Sequence, residues 1–459
     1  MSAPTASRTE QLLSAPIVPA LARLAAPGMV LVAFQTAVSV GDTHFVGRLG
    51  TAPLAGLALV FPLMMLLQMT SAGAMGGGVA SSIARALGAG RPETARRLAV
   101  HAVILAAAFG LGFTLLMLAG GPAIYRVLGG RDAVLAEALA YSNLLFAGSG
   151  LVWFANTFAS ILRGSGNMVV PAITFSAAAT LHVPLTGALV LGAGPFPELG
   201  IAGAGVAYVF DFGIASVVML AWLLWPASSL RPIRTDLRLE ARLFAEILRV
   251  GALSLISSLQ TVLAVVILTG LVASYGAAAL AGYGVGVRLE LLQIPLAFAI
   301  GQAMVALVGT HIGAGRAERA KRIAFTGAAL AAGVCLSIGL TVAIVPDAWV
   351  TLFSDDPAVR EAGASYLRIV GPCYPFFGLG MALYFASQGA GRVLLPVLAG
   401  TVRLVLVLIG GVAAVKLGAP LVALFALIAL ALVVFGSLTL WFVARADWGA
   451  RRSRSGSVP

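Results

Sequence analysis

Long apolar runs, broken by short polar stretches, dominate the chain. A helix needs about 20 apolar residues to cross a hydrocarbon core. Twelve runs are long enough, near 24–47, 54–80, 95–120, 134–159, 168–191, 201–225, 248–273, 279–309, 321–345, 361–386, 393–415 and 419–443. None alternates apolar and polar residues over about 10 positions as barrel strands do. The pattern therefore predicts an all-α membrane protein with twelve transmembrane helices. Composition points the same way: 60% of residues are hydrophobic and 10% charged, against about 25% charged in soluble domains. That shortage of charge excludes a soluble enzyme, a nucleic-acid-binding domain and a disordered chain.

Charge sets the expected orientation. With twelve spans both termini share one side. If that side is cytoplasmic, its termini, its loops and the nearby span ends hold 22 of the 29 Lys and Arg residues. The opposite loops hold Arg48, Arg126, Arg131, Arg360, Arg368 and Lys416, and Arg288 lies inside the eighth span. This is the positive-inside distribution, and it predicts cytoplasmic termini; the expected location is a bacterial inner membrane. The net charge of +12 then needs no nucleic acid. The clusters Arg85/Arg91/Arg96/Arg97 and Arg316/Arg319/Lys321/Arg322 read as topology anchors. Residues 1–24 lack a basic stretch followed by an apolar core, so no cleaved signal peptide is expected. Cys335 and Cys373 lie in apolar stretches without metal spacing and are expected to be unpaired.

The two halves repeat at an offset of about 225 residues. GTAPLAG at Gly50–Gly56 matches GAAALAG at Gly276–Gly282, and LGAGR at Leu87–Arg91 matches IGAGR at Ile312–Arg316. The following ETARRLA matches ERAKRIA. RGSGN at Arg163–Asn167 matches QGAGR at Gln388–Arg392, and each is followed by proline, Pro171 and Pro396. Tyr141 pairs with Tyr366. The expected organisation is a cytoplasmic segment over 1–22, six-helix bundles over 23–225 and 248–443, a cytoplasmic linker over 226–247 and a basic tail over 444–459. Each repeat has an even number of spans, so a pseudo-two-fold axis along the membrane normal is expected, with substrate binding between the halves and rocking access.

No GxxxxGK[ST] motif occurs, which excludes ATP hydrolysis at a P-loop and leaves an ion gradient as the energy source. No HExxH spacing occurs either, so an enzyme is not expected. Beyond the first turn of each span, three acids fall inside spans: Asp42, Asp211 and Glu290. An intramembrane carboxylate is costly unless paired, solvated or protonated, so each is a candidate ion-coupling residue. Each also has a structural reading: Asp42 as a wetted helix end, Asp211 as a carboxylate bonded to serine or backbone, Glu290 as a charge-balanced cross-helix pair. His182 is the one histidine deep in a span and can titrate near neutrality; a lone helical histidine is more often a hydrogen-bonding core residue.

These residues resemble the multidrug and toxic compound extrusion (MATE) transporters over about 20–443. The carriers are LARLAAP ending at Pro27, VGDTHFVGRLGTAPLAG, ARALGAGR, ILRGSGNMVVP and VPLTGALVLGAGPFPELGIAGAGVA. The last looks closer to the NorM-type branch. The resemblance implies a V-shaped twelve-helix exporter of organic cations and amphipathic drugs, two pseudo-symmetric bundles around a central cavity, and H⁺ or Na⁺ antiport. Asp42 matches the family's helix 1 aspartate. Where NorM-type members carry a helix 7 glutamate, this chain has Gln260 or Thr261, and near the expected helix 10 aspartate it has Phe377. His182 and Thr186 stand where the DinF-type branch has Asn and Asp. These departures favour proton coupling through Asp42 over sodium coupling.

Phe34, His182, Tyr208, Gln260, Tyr283, Arg288 and Phe377 are the candidate cavity residues. Trp153, Phe154, Phe175, Tyr275 and Tyr374 are further aromatics that could line it. No cofactor is expected beyond the coupling ion, and a monomer is expected. Two alternatives stay open: a flippase for lipid-linked saccharides, which calls for a basic cavity, and a sodium-coupled drug antiporter.

Overall fold

The computed structural model describes residues 8–449, and every regular element in that range is a helix. The helices are α1 (Arg8–Ser14), α2 (Ile17–Gly47), α3 (Thr51–Gln68), α4 (Gly76–Gly88), α5 (Pro92–Val127), α6 (Asp132–Ala147), α7 (Ser149–Gly164), α8 (Val169–Leu191) and α9 (Ile201–Leu224). They continue as α10 (Ala241–Ala273), α11 (Ala277–Gly313), α12 (Ala317–Ile344), α13 (Asp347–Val350), α14 (Pro357–Val370), α15 (Tyr374–Gly389), α16 (Leu394–Lys416) and α17 (Leu421–Arg445). Among the described residues eleven segments are long and apolar enough to span a membrane, and α6 with α7, bent by 48°, makes a twelfth if the pair is one span.

Three expected spans are interrupted. A π-helical turn, Met69–Met75, joins α3 to α4; α6 and α7 meet at Gly148; and a 3-10 turn, Gly371–Cys373, carrying Pro372, joins α14 to α15. π-turns of this kind recur at functional sites. Two boundaries move. The first long helix starts at Ile17, inside the segment expected to precede the bundle. In the 226–247 stretch a 3-10 turn, Arg234–Leu237, precedes α10, which begins at Ala241. The tail expected over 444–459 is described only to residue 449.

The chain divides into two compact units, Ala26–Ala252 and Leu253–Pro459 with Met1–Ala25. In the first, Leu67, Ile83, Leu98, Tyr125, Tyr141 and Phe146 are fully buried, and in the second Tyr366, Tyr374, Val370 and Phe425 are. The repeat is visible in the backbone. After α4, Gly90 N donates to Leu87 O and Arg91 N to Ala86 O; after α11, Gly315 N donates to Ile312 O and Arg316 N to His311 O. Gly90 (φ 69°) and Gly315 (φ 74°) supply the left-handed residue that this helix-ending pair of bonds requires. Thus LGAGR and IGAGR are one stop signal used twice. Cys335 and Cys373 are free thiols.

Candidate functional site

Three helices of the Ala26–Ala252 unit bring Asp42 (α2), His182 (α8) and Asp211 (α9) together. His182 Nε2 lies 2.8 Å from Asp42 Oδ1, and Nδ1 lies 2.5 Å from Asp211 Oδ2. The imidazole is fully buried, and the two carboxylates are 15% and 12% exposed. Glycine makes the approach possible. A Cβ on Gly41, beside Asp42, would sit 3.2 Å from Val183 of α8, and one on Gly187 would sit 2.7 Å from Phe45 of α2. Small residues at such crossings let helix backbones come close enough for short side chains to meet.

Geometry fixes the proton count of this set. A ring nitrogen bonds a carboxylate oxygen only with a hydrogen between them, so two contacts require two protons among three groups. Either an imidazolium lies between two carboxylates, or a neutral ring lies between one carboxylate and one carboxylic acid. Both arrangements carry one negative charge. Removing one proton leaves an acceptor facing an acceptor, so one of the two contacts must open. The acids occupy opposite ring nitrogens, an arrangement suited to sharing protons. A hard cation needs several oxygens converging on one point, and this set does not offer them. Asp211 Oδ1 is buried without a hydrogen-bond partner, which leaves one acceptor of the set unused.

A second polar chain borders the acids. Tyr208, one turn before Asp211 on α9, accepts from Gln68 Nε2 at 2.8 Å. Gln68 Oε1 accepts from Asn156 Nδ2 at 2.9 Å, and the same amide donates to Ser71 Oγ at 2.9 Å in the π-turn. Gln68 and Asn156 are not among the residues expected from sequence. The available signal is an uncharged amide inside an apolar span, which carries the same warning as a charge at lower cost.

The remaining expected residues are dispersed. Phe34 is half-buried on α2. In the other unit, Glu290 on α11 accepts from the Tyr366 hydroxyl of α14. Tyr283 packs edge-on against Tyr366, with centroids 5.5 Å apart. Gln260 donates to Thr401 Oγ1 at 2.7 Å, and Phe377 packs against the apolar core. Arg288 is exposed, two residues from Glu290, and its guanidinium lies 5.0 Å over the Phe353 ring. Arg403, counted with the span ends on charge pattern, instead sits in the middle of α16, 5.7 Å over Phe435. Arg288 is therefore not the sole basic residue inside a span.

Comparison with known proteins bears on the family and the fold. The MatE family profile matches residues 27–187 and 252–413, one block in each repeat. The chain is 25% identical over 381 residues to a protein of Shewanella oneidensis named FAD transporter, covering 82% of each chain. It is 26% identical over 379 residues to the probable multidrug resistance protein NorM of Thermotoga maritima, covering 82% of this chain and 81% of that one. The solved structure described as MATE in the bent conformation superposes with a TM-score of 0.88 at 24% identity, over 96% of this chain and 97% of that one. Twelve-span hydropathy, an internal repeat whose stop signals coincide, and a profile that covers both halves lead to one conclusion: the chain belongs to the MATE family of membrane transporters and is not an enzyme.

Proposed function

We propose that this transporter exports organic cations and amphipathic drugs in exchange for protons, with Asp42, His182 and Asp211 as the proton-binding centre. The observation that carries the reading is the pair of carboxylates on opposite nitrogens of one buried imidazole. Loaded with two protons, the set holds α2 and α9 to α8 through His182. With one proton it carries two negative charges and releases one acid. That acid then attracts either a cation or a returning proton, so the two compete. Competition for one charge is the elementary requirement of an antiporter, and alternating access turns it into transport. The NorM relative supports drug-like cargo, and the basic residues assigned to one side support cytoplasmic termini in a bacterial inner membrane.

Glu290 is a second intramembrane acid in the other unit. Its contact with the Tyr366 hydroxyl favours a role in holding α11 to α14. The relative named FAD transporter supports a second reading, in which the cargo is an anionic dinucleotide.

The test is uptake of a fluorescent organic cation by inverted membrane vesicles under an imposed pH gradient or an imposed sodium gradient. Proton-driven uptake is expected. Sodium-driven uptake would replace the coupling ion. Uptake of flavin dinucleotide with no organic cation transported would replace the cargo.

A further inference from the structure

The repeat supplies an internal control for its own basic clusters. In the Ala26–Ala252 unit the start of α5 is neutralised by the linker. Arg96 Nε donates to Asp236 Oδ2 at 2.9 Å, Arg97 pairs with Glu240, and Glu240 N donates to His101 Nε2 at 2.8 Å. The equivalent start of α12 carries Arg319, Lys321 and Arg322, preceded by Arg316. Here the chain segment in the linker's place is α1 and the turn before α2. At the 225-residue offset, Gln11 stands for Asp236 and Ala15 for Glu240. The two carboxylates are absent from these positions.

The basic residues meet neutral carbonyls instead. Arg316 Nη1 donates to Leu13 O at 3.0 Å, Arg319 Nη2 to Ala15 O at 2.7 Å and Ser14 O at 3.5 Å, and Lys321 Nζ to Ala444 O at 3.3 Å. Arg319 Nε is buried without a hydrogen-bond partner. Among the described residues none of these four cations forms an ion pair. Beside them lies a cavity of about 410 Å³ lined by Pro16, Ile17, Glu318, Arg319 and Arg322. The first turns of two long helices, α2 at Ile17 and α12 at Ala317, reach it, and helix N-termini favour anions. Glu318 is the one acid in the lining, set against two guanidinium groups.

We propose that this cavity binds the phosphate headgroup of an anionic phospholipid, which supplies the charge that Asp236 and Glu240 supply in the other half. Phosphate is the chemistry that guanidinium forks and helix N-termini recognise. A lipid is favoured over a soluble phosphate because the cavity lies where α2 begins and α17 ends, at the level where spans leave the hydrocarbon. Its Pro16 and Ile17 wall is apolar, as the glycerol backbone and first acyl carbons require. Clusters of 4–8 Lys and Arg beside spans attract anionic lipid by the same physics.

The test uses native mass spectrometry of the full chain in mixed micelles of phosphatidylglycerol and phosphatidylcholine. The wild type is expected to retain phosphatidylglycerol over phosphatidylcholine by about tenfold. Arg319→Gln with Arg322→Gln is expected to abolish that preference. Ala15→Glu, which restores the carboxylate of the other half, is expected to abolish it while leaving every arginine in place. If the double variant does not fold, Ala15→Glu decides alone. Unchanged preference in folded Ala15→Glu overturns the proposal. Displacement of the bound lipid by millimolar inorganic phosphate overturns the lipid assignment and makes the cavity a site for a free anion.

Discussion

Asp42→Asn is the substitution that separates proton coupling from fold. Asparagine matches aspartate in shape, and its amide can donate to His182 Nε2 without any titratable proton. The imidazole then keeps its other hydrogen for Asp211, 2.5 Å away. The site stays hydrogen-bonded with one proton fewer, and no second proton remains to be released. On the proposed scheme, one wild-type proton leaves the set for each cation that enters. A gradient of one pH unit carries about 1.36 kcal/mol per proton, which at one-for-one exchange supports about tenfold accumulation of a monovalent cation. The exchange moves no net charge, so clamping the membrane potential should leave that ratio unchanged. The assay is dye accumulation in proteoliposomes at a fixed pH gradient, with and without a potassium–valinomycin clamp. The variant is expected to lose the pH-driven component and equilibrate the dye near onefold. Accumulation near tenfold by Asp42→Asn would refute the proton count. Accumulation near hundredfold by the wild type would require two protons per cation and would refute the one-for-one scheme.

Further consequences follow from the same contacts. His182→Gln strips two carboxylates of their shared partner; breaking a buried pair costs about 3–5 kcal/mol, so thermal unfolding in detergent should occur at a clearly lower temperature, and an unchanged midpoint would count against the triad. Gly187→Val places side-chain atoms against Phe45; overpacking costs about 1–3 kcal/mol, and the separation of α2 from α8 should reduce pH-driven accumulation while the Asp42 carboxylate stays in place. Glu290→Gln retains an oxygen for the Tyr366 hydroxyl, so pH-driven accumulation should stay within about twofold of wild type; its abolition would assign coupling to Glu290 as well.

Hydropathy made the spans legible because twenty consecutive apolar residues have one physical use in a chain of this composition. It missed the π-turn at Met69–Met75 and the bend at Gly148 because both occur inside stretches that stay apolar. Asp42 and Asp211 stood out as isolated intramembrane charges. Their meeting on His182 did not, since residues on three helices converge only when each helix's rotation is known. These helices are apolar on nearly every side, so their sequences give no face to orient. Gln68 and Asn156 escaped for a different reason: they carry no charge, so a search for intramembrane charges passes over them. The pairing of Arg96 and Arg97 with the linker acids was hidden because charge counting assigns residues to a side of the membrane, not to partners.

The central claim is that one proton leaves the Asp42–His182–Asp211 set when a cation binds. It is tested most directly by proton release at equilibrium, from purified transporter in weakly buffered detergent titrated with a monovalent organic cation. A pH indicator should register about one proton per bound cation for the wild type and none for Asp42→Asn. Saturable binding of the cation to the wild type without proton release would contradict the account.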